Sequence, residues 1–224
     1  MMTLFLLIVV IVIVGYFAMN IYRHDNTPFY KLTGYSYLDV LTNKKVRTSY
    51  KLVNELEQVK GVHKVLVDLQ VPVNDELQAI DALLLHESGI YIINVIHKSG
   101  WINGREQDMQ WTELLHKEKT RLFDNPVHET KRLVYGLQDH LPEVSKELFE
   151  SVVLFTNDCS FQQVEIHSEQ VDVLKMTELK KWTKSIAGNR LSETEIQSLY
   201  AALESMMNVK NATLKVNNTI ASAN

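Results

Sequence analysis

The spacing of apolar positions changes character along the chain, and each change marks an element. The first 22 residues, MMTLFLLIVVIVIVGYFAMNIY, hold no charged side chain and no polar stripe. A helix of that length spans roughly 33 Å, slightly more than the ~30 Å hydrocarbon core of a bilayer, so residues 1–22 are expected to form a transmembrane helix. Tyr16 and Tyr22 lie toward its far end, where interfacial aromatics are favoured. A cleaved signal peptide is the competing reading. Against it, no Lys or Arg precedes the apolar run, and Phe17-Ala18-Met19-Asn20 is a poor small-x-small cleavage site.

Residues 23–46 read as a membrane-proximal connector with a short helix near 37–41. Over 50–58, Leu52, Val53, Leu56 and Val59 follow the three-four spacing of an amphipathic helix, which Gly61 ends. Three strands follow. Residues 62–72 alternate, 80–86 are almost continuously aliphatic, and 90–96 (IYIINVI) are apolar on both faces. Glu87-Ser88-Gly89 is a tight turn between the last two. Residues 100–111 (GWINGREQDMQW) read as a further strand pair or an ordered loop. After Asn125-Pro126, residues 127–140 form a helix burying Val127, Leu133, Val134 and Leu137, with Leu141 continuing that face. Residues 151–156 are a buried strand and 171–173 a short one. Helices cover 179–186 and 192–207, the latter opened by a Ser192/Glu195 capping box. Residues 208–224 have no periodicity and are expected to form a flexible tail. The domain spans 47–207, with the order α-β-β-β-α-β plus C-terminal helices, a mixed α/β fold.

Composition narrows the class. With 224 residues, 46% hydrophobic and 22% charged, the chain is neither disordered nor fibrous. A formal charge of −4 and a pI near 6.1 argue against bulk electrostatic binding to DNA. One cysteine, Cys159, excludes an internal disulfide and a Cys-rich zinc site. Phosphate-loop, G-x-S-x-G, C-x-x-C and H-E-x-x-H motifs are all missing from the sequence. Arg23 and Lys31, followed by Lys44, Lys45 and Arg47, place positive charge after the apolar segment, which predicts a single-pass cell-membrane protein with its soluble domain in the cytoplasm.

The chain resembles the nuclease-related domain (NERD) family of bacteria, relatives of the restriction-endonuclease-like nucleases. Ile80-Asp81, HESGIYII (86–93), SGWINGREQDMQW (99–111) and FDNPV (123–127) carry the resemblance, in that order. It implies a restriction-endonuclease-like mixed sheet flanked by helices, here behind a transmembrane helix. It also implies a metal-dependent site built from an acid opening one strand and a Glu and a Lys two apart on the next. Hard oxygen ligands would hold Mg²⁺ or Mn²⁺, and the lysine would face the developing charge. Asp81 stands at the first position, but Asn94 and Ile96 stand where Glu and Lys are expected. The first helix of the family begins with Gly-Glu, where this chain aligns Thr48-Ser49, and the helix after Asn-Pro carries a Gln, where it has Glu129. Losing one preorganised electrostatic group costs about 10²–10³ in rate, and two are absent.

The resemblance therefore implies a degenerate site with no cofactor: Asp81 a remnant at a strand entrance, Asn94 a buried amide bonded within the sheet, Ile96 core. The alternative is an active phosphodiesterase relocated around Asp81 and Lys98, with Glu129 assisting and Mg²⁺ or Mn²⁺ bound. Lys98 lies two residues past Ile96 and so on the same face. A transition-metal site of Asp81, His97 and Glu129, with His86 and His128 near the same sheet end, is a weaker variant. A third reading makes residues 101–111, with two tryptophans, the contact for a protein partner. Lys44, Lys45, Arg47, Lys51, Lys60 and Lys64 against Glu55 and Glu57 suit nucleic acid or anionic lipid equally.

Overall fold

The computed structural model describes residues 2–74, 76–115 and 119–209. These fall into two compact units, divided between Asn54 and Glu55, with Val209 belonging to the first. From residue 210 on, the expected tail lies outside the described residues.

In the first unit, α1 (Met2–Asp25) is apolar, with a mean hydropathy of 2.8 over its best 18-residue window, and is long enough to cross a membrane. Helix α2 (Pro28–Thr33) starts at Thr27, whose hydroxyl accepts from the Tyr30 N–H, and stops at Gly34 in the left-handed conformation. Helix α3 (Tyr37–Thr42) carries a Ser36/Asp39 capping box. Helix α4 (Lys44–Leu56) begins six residues before the periodicity indicated. Its start is set by Asn43, whose Oδ1 accepts from the N–H groups of Lys45 (2.9 Å) and Val46 (3.2 Å), a signal carried by one polar residue rather than by a pattern. The ring of His24 is buried among Phe29, Tyr30, Tyr37 and Tyr50, with centroids 5.5–6.2 Å away.

The second unit holds two sheets. The first has the order β1-β2-β3-β7-β9, from β1 (His63–Val73), β2 (Glu76–His86), β3 (Gly89–Ile96), β7 (Phe149–Phe155) and β9 (Val171–Lys175). The strands β1, β2 and β3 run antiparallel, and β3 pairs parallel with β7, so β3 is central and its aliphatic run is covered on both faces. Strand β2 starts four residues earlier than its aliphatic core, because Glu76 pairs back to Val73. The second sheet has the order β6-β5-β4-β8, from β4 (Gly100–Arg105), β5 (Gln110–Leu114), β6 (Thr120–Asp124) and β8 (Cys159–Glu165). Residues 100–111 are thus a strand pair. The structure adds β6 and β8, which the pattern of apolar positions does not indicate. Helix α5 (Pro126–His140) packs on β1, β3 and β7, and α7 (Glu193–Leu203) on β1 and β2, while α6 is the short helix Leu179–Ser185. The architecture is mixed α/β, two mixed sheets flanked by helices, consistent with a restriction-endonuclease-like fold.

Candidate functional site

The strand positions that a metal-dependent nuclease would use lie side by side on β2 and β3. Asp81 sits in the middle of β2 rather than at its entrance, because the strand is longer than its aliphatic core. Its Oδ2 accepts from the Val95 N–H at 2.8 Å, across to the neighbouring strand. Asn94 is half-buried, and its Nδ2 donates to Thr130 Oγ1 at 3.2 Å. The amide is therefore held by α5 and not within the sheet as expected, since the face of β3 that carries it turns toward that helix. The Thr130 hydroxyl in turn donates to the Pro126 carbonyl at 2.8 Å. Ile96 joins a buried cluster with Ile102, Trp111, Val127, Val153 and Phe155. No charged group of normal pKa would sit there without a partner.

Beyond these strands a cleft of about 330 Å³ opens where β3 ends, β6 ends and α5 begins. It is lined by Asn94, Ile96, His97, Lys98, Phe123, Asp124, Pro126 and Glu129. The Lys98 ammonium lies 4.4 Å from the centroid of the Phe123 ring, a cation–π contact. Burial pushes the Glu129 carboxyl above its usual range; Arg132 opposes this, Asp124 adds to it, and Lys98 opposes it. Asp124 also receives a long hydrogen bond from Gln110, at 3.5 Å. The sequence reading singled out Lys98 and Glu129 and the structure brings them into one cleft; it missed Asp124, although that residue directly precedes Asn125-Pro126.

The donor set suits a hard, six-coordinate cation poorly. Among the described residues no three His, Cys, Asp or Glu side chains come together around one point, so Asp81, His97 and Glu129 do not assemble. Two carboxylates facing one lysine also give this cleft a poor field for a phosphodiester. His86 is at the other end of β3. It is buried at the hairpin, where Nδ1 accepts from the Ser88 N–H (3.0 Å) and Nε2 accordingly donates to the Lys60 carbonyl (2.8 Å). His128 is half-buried on α5 and does not line the cleft.

Several other residues that carry the sequence resemblance do a different job. Asn125 is buried at the N-terminus of α5, where its Oδ1 accepts from the Val127 N–H at 2.9 Å. Its Nδ2 faces the carbonyls of Arg105 (3.3 Å), Glu106 (2.9 Å) and Asp108 (2.6 Å), which ties the β4–β5 turn to the helix. Trp111 is fully buried, stacked on Phe155 at 6.2 Å, and its Nε1 donates to the Arg105 carbonyl at 3.0 Å. Position 104 must be glycine, because a Cβ there would come within 2.2 Å of the indole. Trp111 therefore offers no contact surface, and of the two tryptophans of this segment Trp101, 53% exposed, faces outward.

Glu106, which sequence reasoning did not single out, is a heavily engaged carboxylate. It accepts from Lys131 Nζ (2.8 Å), from the N–H groups of His167 (2.8 Å) and Ser168 (2.9 Å), and from the Ser168 hydroxyl. Burial alone would raise its carboxyl, but the lysine and these donors outweigh burial and hold it well below the usual carboxylate range. Cys159 is buried, and burial pushes its thiol up, consistent with an inert residue.

The basic stretch divides between the units. Lys44, Lys45, Arg47 and Lys51 lie on α4 in the first, beside half-buried Ser49. The Arg47 guanidinium is engaged by the carbonyls of Val40 (3.0 Å) and Leu41, so it closes the end of α3 instead of offering an unused charge to an outside ligand. Lys64 belongs to the second unit, with its ammonium 5.5 Å from the Tyr200 ring centroid.

A model of the family described as nuclease-related domain matches residues 44–156. An uncharacterized protein of Bacillus anthracis is 28% identical over 125 residues, covering 54% of this chain and 56% of the relative. The chain thus spans little more than half of that relative's length.

Proposed function

The chain belongs to the nuclease-related domain family, and from that premise we propose that it is a catalytically inactive member acting as a binding or scaffolding module on the cytoplasmic face of a membrane. The observation that carries this reading is the employment of the site positions by the fold: Asn94 bonds α5 through Thr130, and Ile96 fills the cluster around Trp111. Positions 94 and 96 thus carry neither the carboxylate nor the cation that phosphodiester hydrolysis would use there. Helix α1 supplies the anchor, and the lysines and arginines after it set the orientation.

The test is cleavage of single- and double-stranded DNA and RNA by the full chain with Mg²⁺ or Mn²⁺, beside an Asn94→Glu/Ile96→Lys variant. Inert wild type and an active variant support the proposal. Wild-type cleavage that vanishes in Asp81→Ala overturns it. Because position 96 is core, a thermal melt accompanies the variant, so that a misfolded protein is not mistaken for a silent one.

A second reading has one observation in its favour, the convergence of Lys98, Asp124 and Glu129 in one cleft. In it the chain is an active metal-dependent phosphodiesterase with a relocated site around Asp81 and Lys98, assisted by Glu129. That reading requires millimolar or tighter affinity for Mg²⁺ or Mn²⁺, lost in Glu129→Gln. Calorimetry showing no heat of binding removes it.

A further inference from the structure

Helix α3 leaves two leucines uncovered. Leu38 is 58% and Leu41 41% exposed, three residues apart on one face, while Val40 between them is buried. Between residues 26 and 54 these are the only large apolar side chains so exposed. Their place is fixed by contacts inside the first unit. The ring of Tyr37, the first residue of α3, lies 6.0 Å from that of His24 in the last turn of α1. At the other end of α3, Arg47 bonds the carbonyls of Val40 and Leu41, which holds the first turn of α4, with Lys44 and Lys45, beside Leu41. The order is thus the end of the apolar helix, then exposed leucines, then exposed lysines.

Charge is distributed in the same sense. Residues 1–54 contain six Lys or Arg and two Asp, whereas the remainder contains 17 basic and 25 acidic residues. Of the two acids, Asp39 is used in the α3 capping box.

We propose that α3 and the start of α4 form a foot on an anionic bilayer surface, with Leu38 and Leu41 entering the interfacial layer and Lys44 and Lys45 meeting the headgroups. Amphipathic segments bind membranes by this combination of buried apolar area and basic charge. A nucleic acid would use the lysines but leave the leucines wet. The proposal rests on α1 being a membrane span, and the experiment separates the two.

The full chain with Cys159→Ser is labelled with an environment-sensitive dye at Thr42→Cys or, separately, at Val12→Cys, and reconstituted into phosphatidylcholine vesicles with or without phosphatidylserine. Quenching by brominated lipid is compared with quenching by aqueous iodide. Lipid quenching at position 42 that appears with phosphatidylserine supports the proposal. The lipid-to-iodide ratio should then fall about thirtyfold in Lys44→Glu/Lys45→Glu, the factor that ~1 kcal/mol for each of two basic residues implies. It should also fall in Leu38→Ser/Leu41→Ser, and not in Lys180→Glu/Lys181→Glu. Lipid quenching at 12 with only iodide quenching at 42 overturns the foot and leaves the anchor standing. Iodide quenching at both positions overturns the anchor, and the foot with it. A dye at 42 that responds to an oligonucleotide and not to lipid makes this a nucleic-acid surface and overturns the assignment.

Discussion

The clasp between the β4–β5 turn and α5 and the cleft beside it belong to the same few elements, yet their polar groups are used in opposite ways. In the clasp, Asn125 and Glu106 have their hydrogen-bonding capacity taken up by the chain itself. In the cleft, Lys98, Asp124 and Glu129 line an open space with weaker ties. Four of the residues that carry the family resemblance, Gly104, Trp111, Asn125 and Pro126, are clasp residues. Those four positions are read as architecture, and they say little about the cleft side chains a few residues away.

That contrast is open to mutation. Trp111→Ala should have the largest effect, about 3–5 kcal/mol of lost stability, because it empties a closed site against Phe155 and Gly104; chemical denaturation measures it, and a loss under ~1 kcal/mol would mean that the clasp is dispensable. Asn125→Ala removes a helix cap and strands buried carbonyls of the β4–β5 turn, which should cost about 2–4 kcal/mol.

Glu106→Gln should cost about 1–3 kcal/mol at neutral pH, leaving the Lys131 ammonium against a neutral acceptor. Since the folded-state carboxyl of Glu106 is held below its unfolded value, its contribution is complete above the unfolded pKa of about 4.3 and is lost as pH falls through the folded one. The gap between wild type and variant should therefore be constant near neutrality and close only in acid; a gap that widens in acid contradicts the sign.

On the cleft side, Asn94→Ala removes a single 3.2 Å bond whose acceptor keeps its own bond to Pro126. Its cost should stay within about 1 kcal/mol. Glu129→Gln should give the smallest change and the opposite sign. The Glu129 carboxyl is raised, chiefly by burial, so its protonated form is the favoured one, and the advantage of that form, complete in acid, is lost as pH rises through the folded pKa. The variant should melt slightly above wild type at pH 7, with the difference fading in acid.

Much of the fold was legible because burial leaves periodic marks. Strands β2 and β3 announce themselves as aliphatic runs because both faces are covered, and α5 by Asn125-Pro126 followed by a three-four pattern. Strands β6 and β8 left no such mark, since in Thr120–Asp124 only Phe123 is partly covered and in Cys159–Glu165 only Cys159 is buried. The site was half legible. Lys98 and Glu129 follow from strand and helix positions, but the Asn94–Thr130 bond joins residues 36 apart, and Glu106 reaches across 61 positions to His167. Pairings of that kind are created by tertiary closure and have no local signature.

The packing of Ile96 also gives the site a direction in sequence space. Ile96→Lys by itself would bury an ammonium among Trp111, Val127 and Phe155 with no carboxylate at position 94 to meet it, a penalty of several kcal/mol against a typical domain stability of about 5–15 kcal/mol. Asn94→Glu must come first, and alone it brings no cation. The route toward nuclease chemistry therefore has an order: a carboxylate at position 94 precedes an ammonium at position 96, because only then does the buried charge find a partner.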